Sequence, residues 1–329
     1  MKSIYQYIGH CLTGASFLIA VISPGACKKV QNGYLSSQIR YTDNPLQIQR
    51  GVIKQTNPIA NDGSSAPVLY ELLDIRDAVT HKHADSVYAN QDRYIFTGMF
   101  DASVDTTVAL LNTKRKKISA PCFDFNTHTG AFTFYGTTSN VPLSTYEFDI
   151  KASNESGSKI YKDIATFTFF DGDPFEIDAG GGAWFKDGTT ISGDIGAPLV
   201  TIQRLSTSGD RVILKIVDKN NTPFNPANNE YIKRGNRSSF ETFAKFHPLI
   251  VTDSTLACDF EVIPFPFAPA AQGFTIYYRI PGNFGRLDPG LTPTSDRGYS
   301  VNPRFTFRIY QDGTYLVTVK IKNVTRDPI

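Results

Sequence analysis

Cysteine, histidine, methionine and tryptophan are scarce in this chain. Its 329 residues hold four Cys, five His, two Met and one Trp. The thiols do not fall at the close paired spacing of a zinc module, so a structural zinc domain is excluded. Charge of one sign is lacking too: Lys and Arg total 33, Asp and Glu 31. A net charge of +2 gives no field that would gather nucleic acid, and no nucleic-acid partner is expected. Phosphate-loop and nucleophile-elbow glycine patterns are absent, which removes two common catalytic signatures. Beyond residue 26 no apolar run approaches the roughly 20 residues that a membrane-spanning helix needs.

What is abundant is ring. There are 24 Phe and 16 Tyr, within 41% hydrophobic and 19% charged residues. Enough apolar material is present for packed cores, and Phe and Tyr suit pleated, half-buried surfaces. On a prior of about 150 residues per domain the length suggests two domains.

Residues 1–26 read as an export signal. Lys2 and His10 precede the short apolar stretch Leu12–Ile22, and small residues Gly25-Ala26 then lead to Cys27. Ser23-Pro24-Gly25-Ala26-Cys27 resembles a bacterial lipobox, with Pro24 where a leucine-like residue is usual. The resemblance implies lipid on Cys27 and a membrane anchor of several acyl chains. Cys122 and Cys258 remain. Their placement in different domains predicts two buried free thiols.

Residues 27–65 are polar and weakly periodic and are expected to form a tether. Strand signals accumulate after them. Tyr94–Phe100, Thr107–Leu111, Phe123–Asn126, Ala131–Tyr135, Tyr146–Ile150 and Ile164–Phe169 predict a β-sandwich over residues 66–175. Lys114-Arg115-Lys116-Lys117 is expected to be a solvated turn between two of them. Thr127–Gly130 and Asn154–Gly157 are expected hairpin turns. Gly180-Gly181-Gly182, Gly188, Gly193 and Gly196 mark an expected junction over residues 176–198. A second sandwich is predicted over 199–329. In it, Ser208-Gly209-Asp210 joins Leu199–Arg204 to Arg211–Val217, and Gln311–Thr314 joins Phe305–Tyr310 to Tyr315–Ile321, each as a hairpin. The fold class is therefore mostly β: two immunoglobulin-like β-sandwich domains after a signal and a tether.

Pro142–Asn154 followed by Gly157, Phe224-Asn225-Pro226, and Cys258–Val262 together resemble two-domain lipoproteins of Bacteroidetes associated with polysaccharide utilisation. The resemblance covers most of the exported chain, and it rests on strand patterns. It implies outer-membrane attachment, immunoglobulin-like domains and, as partners, a glycan and an outer-membrane importer complex. It brings no active-site residues. Surface display in that group goes with acidic residues after the lipidated cysteine. Lys28-Lys29 stand there instead, so the facing is undecided, with the cell surface favoured over the periplasmic face.

Chemistry-bearing residues are few. His81-Lys82-His83, His128 and His247 read as loop or turn histidines. Asp171-Gly172-Asp173, with Glu176 and Asp178, is an acidic loop that calcium could use, and Asp171 and Asp173 are the weak candidate ligands; no other cofactor is expected. Sugar rings stack their C–H faces on aromatic side chains while polar neighbours orient the hydroxyls. Trp184, Phe185 and Asp187 in the glycine-rich segment are candidates for that role, as are the adjacent Tyr277 and Tyr278, one of which must point outward. No sequence rule selects a carboxylate pair for hydrolysis, and a non-enzymatic binding protein is favoured, with a structural or adhesive surface protein as the alternative. Metabolic palmitate labelling tests the anchor: the wild-type chain incorporates label and Cys27→Ser does not, and equal labelling of the two overturns it.

Overall fold

Period-two alternation builds the first half. In the computed structural model, which describes residues 33–328, Thr145–Asn154 and Gly157–Phe170 form a hairpin through the Asn154–Gly157 turn. Phe148, Ile150 and Ala152 on one strand and Ala165 and Phe167 on the other point inward and are buried. The sheet runs Leu46–Gln49, Gly157–Phe170, Thr145–Asn154, Leu69–Asp77. A three-stranded sheet of Lys54–Gln55, Phe132–Phe134 and Phe123–Phe125 contributes the facing rings. Phe132 meets Phe148 edge-on at 5.0 Å, and Phe134 meets Phe167 at 5.2 Å. Such pairs add about 0.5–1.5 kcal/mol each beyond burial.

The mostly-β expectation holds, and several local expectations do not. Cys27 and the export signal lie outside the described residues. From residue 33 onward the assigned tether of 27–65 is wrong. Ile39, Tyr41, Leu46 and Ile48 are core residues, and Leu46–Gln49 pairs in parallel with Phe167–Phe170. That pairing joins segments about 120 residues apart, so no local pattern betrays it. Thr107–Leu111 is not a strand. Val108–Thr113 is a short helix, because Ala and two Leu favour helix and the Thr107 hydroxyl accepts a hydrogen bond from the Leu110 N–H. The basic cluster is not a solvated turn: Arg115–Ala120 is a strand paired with Gln91–Phe96, and Arg115 is buried.

The second half is two five-stranded sheets around one core. One runs Ser192–Asp194, Phe175–Lys186, Tyr299–Ile309, Ile276–Arg279, Ile232–Lys233. The other runs Leu199–Ser206, Gly313–Lys320, Asp210–Val217, Leu256–Asp259, Ile250–Val251. The junction expected over 176–198 is thus mainly strand. Phe175–Lys186 pairs along its length with Tyr299–Ile309, with one bulge between Asp178 and Gly181. Its glycines answer to close approach: a Cβ on Gly180 would lie 2.7 Å from the Arg304 carbonyl oxygen, and one on Gly182 would lie 2.6 Å from that of Gly196. The second sandwich accordingly begins at 175, not 199. Neither expected hairpin forms. Gly313–Lys320 inserts between Leu199–Ser206 and Asp210–Val217, antiparallel to the first and parallel to the second. Tyr299–Ile309 and Gly313–Lys320 lie in opposite sheets, so Asp312-Gly313 carries the chain across the core. The turns fall where their residues predict, but they join different partners.

The halves meet at an aromatic contact and a buried cation. Phe267 stacks on Phe96 at 5.3 Å and meets Phe100 edge-on at 4.9 Å. Arg115 donates to the Glu261 carbonyl at 2.8 Å and to its carboxylate at 3.1 Å. Cys122 and Cys258 are free and buried, one in each core. Burial pushes the Cys122 thiol up to about 12. Among the described residues no helix is long and apolar enough to cross a membrane.

Trp184 is a core residue, 5% exposed, with its ring edge-on to Tyr299 at 5.2 Å. The edge strand folds over it so closely that a Cβ on Gly193 would sit 2.4 Å from the indole. Gly193→Ala therefore overpacks the core, and a loss of about 1–3 kcal/mol is expected in denaturant unfolding followed by the fluorescence of Trp184. An unchanged midpoint overturns that packing.

The crossing turn supplies a second expectation. Burial, followed by the nearby carboxylates of Asp312 and Glu261, pushes Asp210 up to about 6. Its ordinary value is about 3.9. The folded state therefore holds this proton more tightly, so the contribution is full below about 4 and is lost as pH rises through about 6. Asp210→Asn lacks that loss. The thermal midpoint of the variant minus that of the wild type grows from pH 4 to pH 7, and a flat difference overturns the assignment.

Candidate ligand-binding groove

Register decides which face each candidate side chain occupies. In Tyr299–Ile309 the odd positions Tyr299, Val301, Phe305, Phe307 and Ile309 enter the core. Ser300, Asn302, Arg304, Thr306 and Arg308 take the opposite face. Trp184 pairs with Val301 and Phe185 with Ser300, so Trp184 turns inward and Phe185 outward. On Ile276–Arg279, Tyr278 turns inward, fully buried, and donates its hydroxyl to Glu241 at 2.9 Å. Tyr277 and Arg279 turn outward. Trp184 and Tyr278 are thus removed from the stacking candidates because the core takes their rings. Phe185, Asp187 and Tyr277 are left on one outer face.

Phe185 and Asp187 line a groove of about 500 Å³. One wall is Phe185–Thr189, the other is Ile232–Gly235, and Arg279 and Asn302 lie between them. Arg279 is held rigidly. Its Nη2 donates to Asp187 Oδ1 at 2.7 Å and to Ser300 Oγ at 2.7 Å, its Nε donates to the same hydroxyl at 3.0 Å, and Ser300 donates to Asp187. Ser300 is wholly buried beneath this triad. Arg234 lies 5.6 Å from the Phe185 ring centre and Arg237 lies 5.6 Å from that of Tyr277, within cation–π range. Burial, and then the like charges of Arg237 and Arg304, hold Arg234 below the usual guanidinium range. Gly181 makes room for Arg304: a Cβ there would lie 2.5 Å from its guanidinium. Asn302 is 6% exposed, and its Oδ1 is buried with no hydrogen-bond partner. A buried acceptor left unpaired costs about 1–3 kcal/mol, and a water or a ligand hydroxyl reaching it from the groove would satisfy it.

Sequence reasoning reached Phe185 and Asp187 but missed Arg234, Arg279 and Asn302. The signal that was available is Ile232–Arg237, six residues that open on a two-residue strand and carry three cations, Lys233, Arg234 and Arg237. Its charges look like any solvated loop until the sheet is assembled.

The remaining candidates sit elsewhere. Asp171 receives both ends of the Arg50 guanidinium, at 2.8 and 2.9 Å, and the Asp173 carbonyl accepts from Gln49 at 2.7 Å. Among the described residues no group of three or more His, Cys, Asp or Glu is arranged for a metal ion. His81 contacts Glu147 at 2.7 Å and His83 contacts Asp74 at 2.6 Å, so the two imidazoles are held apart by separate carboxylates. His247 contacts Glu261 at 2.9 Å, near the contact between the halves.

No family model matches this chain, and no curated protein matches it. Among solved structures it is similar to a SusE-like, surface-located polysaccharide-binding protein from the heparin utilisation locus of Bacteroides thetaiotaomicron. The identity is 9% and the TM-score 0.24 over 87% of this chain, and the chain spans 54% of the length of that structure.

Proposed function

We propose that this protein is a non-catalytic outer-membrane lipoprotein, anchored through Cys27, that binds a glycan in the groove between Phe185–Thr189 and Ile232–Gly235 as a capture or importer-accessory component. The observation that carries the reading is the composition of the groove. An aromatic face, a rigidly held guanidinium and a buried unpartnered amide oxygen share one open cleft. Sugar recognition uses those three elements: a ring for the C–H face, and fixed donors and acceptors for the hydroxyls. Two carboxylates about 5–10 Å apart would be needed for glycoside hydrolysis. Among the described residues Asp187 is the one carboxylate lining the groove, and Arg279 and Ser300 already engage it. The arrangement therefore supports holding a sugar rather than cutting it.

Affinity electrophoresis against a panel of plant, host and microbial polysaccharides tests this. The wild-type chain is expected to be retarded by at least one polysaccharide, and Phe185→Ala is expected to migrate freely in the same gel. No retardation in any gel overturns the function. Equal retardation of the variant moves the site elsewhere.

A further inference from the structure

The whole chain is nearly balanced in charge, but the groove is not. Its lining carries Lys186, Lys233, Arg234 and Arg279 against the single carboxylate of Asp187. Arg237 and Arg304 stand close enough to act on Arg234. Arg279 alone is neutralised, by Asp187. Among the described residues no carboxylate pairs with Lys186, Lys233, Arg234 or Arg237, although most other arginines in the chain, such as Arg50, Arg76, Arg211 and Arg326, have one. Most arginines of the fold are paired, whereas Arg234 and Arg237, like Arg204, Arg304 and Arg308, have no carboxylate partner among the described residues.

We infer that the groove selects an acidic polysaccharide, one whose sugars carry carboxylate or sulfate groups, with Arg234 and Arg237 as the anion-binding side chains. This rests on the glycan-binding reading of the same groove and narrows it to one class of ligand. Guanidinium forks match carboxylate and sulfate oxygens with two parallel hydrogen bonds, and these charge-assisted bonds are the stronger kind. The anion takes the place of the missing carboxylates and relieves the mutual repulsion of the arginines. A bare inorganic anion would not complete the site. Asn302 Oδ1 is an acceptor, so it asks for a hydroxyl or amide donor next to the anionic group, and Phe185 offers a face for a ring. An acidic sugar carries all three: charge, donor and apolar face.

The test is a binding titration of the full chain with polygalacturonate as the carboxylate probe and dextran sulfate as the sulfate probe. Neutral dextran, neutral galactan and polyuridylate serve as comparisons. Binding of at least one acidic glycan is expected, weakening with added sodium chloride as screened charges do. The double variant Arg234→Met/Arg237→Met should lower its affinity at least about tenfold, the scale of one charge-assisted hydrogen bond. Lys116→Met/Lys322→Met removes the same charge from exposed positions outside the groove and should leave affinity unchanged. Lys233→Met, a single exposed change, should also weaken binding and guards against misfolding of the double variant. Equal losses in the two double variants would mean diffuse attraction and overturn the inference. So would comparable binding of polyuridylate. Binding of neutral glycans through Phe185 with the acidic probes ignored overturns the anionic class while leaving the glycan function standing. If no carbohydrate binds at all, both fall.

Discussion

The placement of the groove depends on the alternation of one strand, Tyr299–Ile309. Its odd positions fill the second core with Tyr299, Val301, Phe305, Phe307 and Ile309. Its even positions are thereby fixed on the outer face as Ser300, Asn302 and Arg304. Its neighbours take their parity from it. Trp184 goes inward because it opposes Val301, and Phe185 goes outward because it opposes Ser300. A slip of one residue would exchange the two faces, burying the guanidiniums and exposing the rings. The large cost of that exchange is what fixes the site. Even on the outer face Ser300 and Asn302 are buried, Ser300 beneath the Arg279 guanidinium whose hydrogen bonds it accepts.

The same constraint explains what could be read from the sequence and what could not. Alternation marks strands well, and Tyr146–Ile150 and Ile164–Phe169 fall within observed strands. It does not name their partners. Asp312-Gly313 has the local chemistry of a hairpin, but Phe305–Ile309 and Tyr315–Val319 both carry inward apolar faces. One shared core is better filled when they lie in opposite sheets. Leu46–Gln49 reads locally as linker because its parallel partner comes more than a hundred residues later. The candidate site was half legible for a related reason. Phe185 and Asp187 stand out in the sequence as an aromatic and an acid among glycines, whereas Trp184 stands out by rarity. Rarity says nothing about which side of a sheet a residue faces. Arg279 and Asn302 carry no local mark at all, since each gains its meaning from a neighbour brought in by pairing.

Outside the groove, both sandwiches tie most of their arginines to carboxylates. In the first, Arg76 gathers Glu147, Asp149 and Asp163, and Arg50 grips Asp171. At the contact between the halves, Arg115 and His247 converge on Glu261. Such clusters hold strands and halves in register, and they leave little charge free for a ligand. In the groove, Lys186, Lys233 and Arg234 collect with Asp187 as the one lining carboxylate among the described residues. Uncompensated charge at a structured, partly shielded position is a poor stabiliser and a good receptor.

Ser36 and Tyr41, in the segment expected to be a polar tether, are tied into the first sandwich. The Tyr41 hydroxyl donates to the Gly130 carbonyl at 2.5 Å, and the buried Ser36 N–H donates to Ser64 Oγ at 3.0 Å. With lipid on Cys27 as proposed, six peptide steps lie between the acylated residue and residue 33, the first described. Fully stretched they reach only about 20 Å. That leash is shorter than a typical domain is wide. The protein would therefore ride close against the bilayer and sample a thin layer next to the membrane, rather than sweeping the space beyond it.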